Sequence, residues 1–510
     1  MKPRTLVSPY HPLRRTAFRL PRARAGLTFE KTGEGRFAEP VEYSGMDARP
    51  LKFITTACVG ELLAGSPDTL VSRVCTDSRQ AREGDLFFAL SGDKFDGHDF
   101  LKDVASRGVT AVVVEVAKLP GTLPGCAVIA VDNTRRALGR LAAAARQDFV
   151  LPIVGVGGSN GKTTTKELIA SVLRQKLASL ASEASFNNDI GVPLTLLRLQ
   201  KEHQAAVVEV GTNHPGELAP LVKMVQPKFG VITSIGREHL EFFGGLDGVA
   251  DEEGWLAELL PVSGKLFING DTSYSDQIIQ RACAAAERVG FSQSNEWHVA
   301  SAKIDKDGTT FRLEAPEEKF SGEYHINLVG RHQAVNATFA IAIGAELGLS
   351  REEIVRGLEE CQPPKMRLQI EELNGVRILD DAYNANTDSM IAALETLRDL
   401  PCKGRRVAVL GDMGELGEHT EAAHAEVGRL AAELGVDQLF VIGKMAGVTG
   451  QAARNAGLNR VLEFVDVTAA VGAVKKFVKP DDVLLLKASR KAELERVAEL
   501  LRAGEAIRKN

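Results

Sequence analysis

Residues 153–167 read IVGVGGSNGKTTTKE. An apolar run is followed by glycines, then Gly161-Lys162-Thr163-Thr164, then a helix-like segment. Strand, glycine turn and helix in that order make a phosphate-cradling loop. Backbone N–H groups of such a turn can point at phosphate oxygens, and a helix N-terminus favours negative charge. Lys162 is expected to neutralise the outer phosphates and the Thr163 hydroxyl to ligate Mg²⁺. The strict pattern G-x-x-x-x-G-K-[ST] is missed, because its first glycine falls on Val156. The stretch also narrowly misses G-x-G-x-x-G, with Gly155 and Gly157 in place but Asn160 where the third glycine is due. The lysine and the threonines after it favour a nucleoside triphosphate, since a dinucleotide loop needs neither. The expected ligand is ATP or GTP.

The rest of the chain is consistent with an enzyme of several α/β units. Its 510 residues suit about three domains. A 44% hydrophobic and 25% charged composition is ordinary for a soluble protein. A net charge of −5 gives no bulk attraction to nucleic acid or to anionic membrane. The six cysteines lack any C-x-x-C pair, which fits a reducing compartment and argues against structural zinc or a disulfide framework. No apolar run approaches the ~20 residues needed to span a bilayer. These features together lead us to expect a cytoplasmic protein.

Residues 1–29 carry seven lysines and arginines and no acid. An Arg-rich, acid-poor start can be an organellar transit peptide. The plainer readings are a disordered tail, or an upstream start with Met46 as the true beginning. We expect residues 1–48 to be a basic, disordered extension.

Alternating strand-like and helix-like pieces mark a first α/β unit at 49–146 and a central one at 147–362. The central unit continues through AAVVEVG, GELAPLVKMVQ, FGVITSIG and a helix around 247–260, then a β-rich stretch near 262–330. A third unit, 363–510, follows Pro363–Pro364 and repeats strand and helix as a doubly wound parallel sheet does. Gly411, Gly414 and Gly417 there read as strand-to-helix turns.

Strand ends of a parallel sheet deliver side chains to the ligand crevice. Glu209 ends AAVVEVG, while His239 and Glu241 follow FGVITSI. A carboxylate and an imidazole beside a phosphate loop can hold a divalent ion or a bridging water. Taken singly, a His is more often structural and a Glu solvated; their shared position favours function. FNNDIGVP (186–193) reads equally as a binding loop or a turn.

Taken together, the motifs resemble the Mur ligase family of ATP-dependent amino-acid and peptide ligases, from about residue 52 to the end. The matching segments are TDSR (76–79), GDLFFAL (84–90), FDGHDF (95–100), GSNGKTTTKE (158–167), FNNDIGVPLTLL (186–197), EVGTNHPGEL (209–218) and HLEFFG (239–244). GRHQAVNA (330–337), DDAYNAN (380–386), VLGDMGELGEH (409–419) and KASR (487–490) continue the match. NNDIGVP and DDAYNAN, with no DNPR motif, point to the branch that adds D-alanyl-D-alanine to UDP-N-acetylmuramoyl-tripeptide. Other possibilities are a member adding a single amino acid, a folylpolyglutamate synthase-like ligase, or a non-catalytic nucleotide-binding relative.

The resemblance implies an N-terminal UDP-binding domain, a central P-loop ATPase-like domain and a C-terminal Rossmann-like domain. It implies substrate contacts from Ser78, Arg79, Asn187, Asn188 and Asn386. ATP would be bound by Gly158, Ser159, Asn160, Gly161, Lys162, Thr163 and Thr164, with Asn336, Asp381, Tyr383 and Asn384. Lys162, Glu209 and His239 would be catalytic, and Thr163, Glu209, His239 and Glu253 would hold Mg²⁺. The family reaction passes through an acyl phosphate, and the protein would be a monomer that inserts in no membrane. One departure stands out. The family commonly places a carbamylated lysine after the HLE segment; here that position aligns with Glu253, and no lysine occurs between Lys228 and Lys265. The expectation is that the Glu253 carboxylate stands in for the carbamate. Smaller departures are Gly157 and Thr387, where threonine and proline are usual, Gln333 for asparagine and Ala488 for glycine.

Overall fold

In a computed structural model the chain is described over residues 45–506, apart from 93–94, 120 and 124, with side chains described to residue 502. The basic extension expected at 1–48 lies almost wholly outside the described residues. Among the described residues, three larger α/β sheets follow one another along the chain.

The first sheet has five strands. Arg73–Cys75, Asp85–Phe88, Ala111–Glu115 and Ala127–Val131 run parallel, and Glu61–Ala64 closes the edge antiparallel. The middle three are continuous apolar runs (LFF, VVV, VIAV) buried on both faces, as parallel strands with covered faces require. The helix Thr134–Arg146, capped by the Asn133 side chain, packs Leu138 and Leu141 against this layer and leads to the phosphate loop.

The central sheet has nine strands. In spatial order Ser179–Ala181, Ala205–Glu209, Ile153–Gly157, Phe229–Ile232, Lys265–Asn269, Ala285–Gly290 and Trp297–Ile304 are parallel. Thr309–Glu314 and Gly322–Ile326 extend them as an antiparallel edge. Alternation in TTFRLE buries Phe311 and Leu313 and exposes Arg312 and Glu314. Ile153–Gly157 lies between Ala205–Glu209 and Phe229–Ile232, so the loops after these strands meet at one sheet edge. The helix Arg331–Glu346 is apolar almost all round and buried between the phosphate-loop helix and the antiparallel strands.

The third sheet has six strands. Val376–Asp381, Val483–Lys487, Arg406–Gly411, Gln438–Ile442 and Val461–Phe464 are parallel, with Gln369–Leu373 antiparallel at one edge. Gly411 ends a strand, as the sequence suggests, and the segment after it turns toward the central unit. No helix among the described residues is long and apolar enough to cross a membrane.

Phe440 sits fully buried in the third sheet, against Phe477 and Phe464 at ring separations of 5.7 and 6.2 Å. Phe440→Ala should cost about 3–5 kcal/mol, visible as a lower urea midpoint for the C-terminal unit, while a Phe440→Leu chain should lose clearly less.

Candidate active site

The phosphate loop is shaped by glycines that nothing else can replace. Gly158 has φ 108°, and a Cβ there would lie 2.6 Å from the Thr233 hydroxyl. Gly161 has φ 92°, and its Cβ would lie 2.7 Å from Asn336 Oδ1. Both conformations lie in the left-handed region.

The loop divides in two. Gly158 N–H donates to Glu253 Oε2 (2.7 Å), Ser159 N–H to the Ser234 carbonyl (2.8 Å) and Asn160 N–H to Ser234 Oγ (2.9 Å). These three amides therefore meet protein acceptors. The N–H groups of Gly161, Lys162, Thr163 and Thr164 open the helix Lys162–Arg174, whose first α-helical bond is Thr165 N–H to the Gly161 carbonyl. A helix start leaves these four donors without intrahelical acceptors, and they form the anion-binding end.

Lys162 Nζ donates to the Gly158 and Ser159 carbonyls and lies 3.5 Å from Glu238 Oε2. Burial alone would lower its pKa, but the carboxylates of Glu238, Glu253 and Glu209 outweigh that and raise it, so the ammonium stays charged. These carboxylates are themselves buried, Glu209 at 1%, Glu238 at 5% and Glu253 at 0% exposure. Each has one oxygen with no hydrogen-bond partner: Glu209 Oε2, Glu238 Oε1 and Glu253 Oε1. Burial pushes the Glu253 carboxyl up, against the pull of Lys162.

The loop opens into a cavity of about 990 Å³. Of the residues anticipated from sequence, Ser159 through Thr164, Asn187, Asn188, Glu209, His239, Asn336, Asp381, Tyr383, Asn384 and Asn386 all line it. Gly158 and Glu253 do not; Glu253 lies behind the loop. Ser78 and Arg79 are in the first unit, where Arg79 is exposed and paired with Asp77 at 2.7 Å, apart from this cavity. Asn187 Nδ2 donates to Glu209 Oε1 (2.9 Å), so FNNDIGVP contributes to the cleft. Asn188 Oδ1 accepts from Ile190 N–H (3.2 Å) and Gly191 N–H (2.9 Å) just before the short helix Gly191–Leu196. Thr163 Oγ1 lies 3.2 Å from Ser185 Oγ.

The C-terminal unit completes the cleft. Asn386 Nδ2 donates to Asn160 Oδ1 (3.0 Å), while Asn386 also caps the helix Thr387–Asp399. His239 Nδ1 lies 2.6 Å from Glu415 Oε2, from the glycine-rich GDMGELG segment. Arg237 joins Asp388 (2.6 Å) and Glu426 (2.6 Å). Lys487 Nζ binds Asp381 Oδ2 at 2.5 Å and the Asn384 carbonyl at 3.1 Å. Arg367 stacks 4.2 Å above the Tyr383 ring and donates to Ser185 Oγ.

Sequence reasoning missed Glu238, Arg237, Arg367, Lys487 and Glu415. Glu238 had one available signal, its place beside His239 just past a strand end. Lys487 and Arg367 are placed by Asp381, Asn384 and Tyr383 of their own unit, while Arg237 and Glu415 pair across two units distant in sequence.

A metal ion fits this donor chemistry on specific terms. Among the described residues no group of three or more His, Cys, Asp or Glu side chains is arranged to hold a metal. Magnesium bound to a nucleotide needs only one or two carboxylates, with phosphates and water supplying the rest. Glu209 and Glu238 line the cleft beside the loop, and each has one buried oxygen without a hydrogen-bond partner.

With this geometry in place, comparisons with known proteins decide the class. Family models for the Mur ligase family catalytic domain, the Mur ligase middle domain and the Mur ligase glutamate ligase domain match residues 70–146, 156–344 and 366–490. The UDP-N-acetylmuramoyl-tripeptide–D-alanyl-D-alanine ligase of Escherichia coli (strain K12) is 35% identical over 88% of this chain and 98% of its own. A crystal structure of MurF from Acinetobacter baumannii superposes with a TM-score of 0.82, at 32% identity, covering 90% of this chain and 99% of that one. The MurF ligase from Thermotoga maritima in complex with ADP gives a TM-score of 0.74 at 25% identity, over 86% and 98% of the two chains. The chain belongs to the Mur ligase family.

His332 lies in the cleft wall, where burial and the nearby Lys487 cation hold its pKa down to about 4. Its ordinary value is near 6.5, so the unfolded chain takes up the proton first as pH falls. Stability should therefore be lost between about pH 6.5 and 4, and be unaffected by this group above pH 7. His332→Gln should flatten that part of the urea-midpoint profile.

Proposed function

We propose that this chain is an ATP-dependent ligase. It joins the amine of D-alanyl-D-alanine to the terminal carboxylate of UDP-N-acetylmuramoyl-tripeptide, releasing ADP and phosphate, in peptidoglycan precursor synthesis. The observation that carries this reading is the Lys162-centred cleft, walled by two units, in a chain whose full-length relatives bear that activity in their names.

In this reading the N–H groups of Gly161–Thr164 and the Lys162 ammonium receive the nucleotide phosphates. Lys162 then follows the charge that grows on the transferring phosphoryl group. A carboxylate oxygen of the tripeptide bonds to the γ-phosphorus as ADP leaves. The dipeptide amine then bonds to the acyl carbon, phosphate departs, and the amine gives up its proton. Thr163, Glu209 and His239 would hold magnesium, which would supply the charge neutralisation that brings two anions together. Asn187 orients Glu209, and Glu415 orients His239 from the facing unit. Asp381, Tyr383 and Asn384, with Asn336 below them, receive the nucleoside side. Asn188 and Asn386 face the peptide end, and Ser78 and Arg79 meet the UDP moiety on the first unit. The contacts Asn160–Asn386 and Arg237–Asp388 hold the units together over the loop, which keeps water from the acyl phosphate. The protein works as a cytoplasmic monomer without nucleic acid or membrane partners.

Phosphate release from ATP should require UDP-N-acetylmuramoyl-tripeptide and D-alanyl-D-alanine together, with single amino acids giving none. Lys162→Ala should lower kcat by about 10²-fold or more. Turnover with a single amino acid in place of the dipeptide would refute the assignment.

A further inference from the structure

Two adjacent carboxylates on one helix fasten two neighbouring strand-end loops. On Leu246–Glu258, Glu252 accepts Gly216 N–H (2.9 Å) and Leu218 N–H (2.8 Å) from the segment after the Glu209 strand. Glu253 accepts Gly158 N–H (2.7 Å) from the segment after the Ile153–Gly157 strand. The helix thus sets the phosphate loop against the strand end that carries Glu209.

The space for Glu253 depends on one absent side chain. A Cβ on Gly157 would lie 2.9 Å from Glu253 Oε2, closer than real Cβ contacts come, and 3.2 Å from Leu256 Cδ2. Gly157 has no positive φ, so its backbone asks for no glycine. The missing side chain leaves room first for the carboxylate and, less tightly, for Leu256. Both departures noted in the sequence, Gly157 and Glu253, are therefore in contact across the base of the loop.

We propose that Glu253 is a positioning residue of the phosphate loop, and that Gly157 and Glu253 form a matched pair in which the absent side chain admits the carboxylate. Glu253 turns the Gly158 amide away from the cleft and, with Ser234 on the next two amides, anchors the upstream half of the loop. Gly161–Thr164 are left as the phosphate-facing half. The carboxylate acts from behind the loop, through Gly158, and touches neither phosphate nor metal. This inference rests on the reading of the cleft as a nucleotide site.

The test is calorimetric titration of the full chain with ADP, in EDTA and again with Mg²⁺. Glu253→Ala leaves a buried N–H without an acceptor and should weaken ADP about tenfold in both conditions. Glu253→Gln keeps an acceptor oxygen and should recover most of that loss. Gly157→Ala crowds the carboxylate and should reproduce Glu253→Ala. Adding Gly157→Ala to Glu253→Ala should cost much less than Gly157→Ala does alone, because only the looser Leu256 contact remains. Loss of affinity confined to the Mg²⁺ titration would overturn the inference in favour of a metal ligand. Losses that multiply in the double variant would overturn the pairing. Wild-type chain that binds no ADP in either condition would instead remove the nucleotide reading, and the inference with it.

Discussion

One ammonium among buried carboxylates governs this cleft. Lys162 lies under the influence of Glu209, Glu238 and Glu253, all nearly inaccessible to water. Burial raises the Glu253 carboxyl toward its neutral form, and Arg367 adds positive charge near Lys162, so the field is not three full negative charges against one ammonium. Burying such a set is costly unless partners satisfy it. Protein partners satisfy part: Asn187 on Glu209, the Gly158 amide on Glu253, and Lys162 beside Glu238. One oxygen on each carboxylate remains unsatisfied. A nucleotide carrying its own divalent cation brings positive charge to the buried acids beside Lys162, and Arg331, Arg367 and Lys487 line the same cleft. Helix-terminus donors and the lysine then act on a ligand of reduced charge.

The rest of the molecule can be read as support for this arrangement. The central sheet puts three parallel strands side by side so that their following loops carry Gly158–Thr164, Glu209 and Glu238–His239 to one edge. The helix Leu246–Glu258 fixes two of those loops from below. The C-terminal unit reaches over the same edge with Asn386, Asp388 and Glu415, each bonded to a residue on or near the loop. Arg237 is central to this contact because it holds two acids of the facing unit while its own backbone N–H binds Asp388. These few polar contacts tie the C-terminal unit to the segments around the phosphate loop.

Much of this was legible from local patterns. Apolar runs marked the buried parallel strands, alternation marked Thr309–Glu314, and the Gly-Lys-Thr segment placed the loop between strand and helix. Strand-end position singled out Glu209 and His239, and both line the cleft. What local pattern did not carry was direction and long-range partnership. The amides of Gly158, Ser159 and Asn160 turn toward Glu253 and Ser234, acceptors on other elements. Glu415 gains its place only when the third unit meets the second, and Arg367 and Lys487 gain theirs from Tyr383 and Asp381, distant from them in sequence within the third unit. Glu253 aligns with a ligand position of the family, and one of its oxygens accepts the Gly158 amide while the other has no hydrogen-bond partner.

A crystal structure with Mg²⁺ and a non-hydrolysable ATP analogue tests the central claim most directly. The account predicts phosphate oxygens on the N–H groups of Gly161–Thr164 and on Lys162. It also predicts that Gly158 N–H stays on Glu253 and that the free oxygen of Glu209 turns toward the cation. A triphosphate seated on the Gly158–Asn160 amides, with Glu253 displaced from behind the loop, would contradict it.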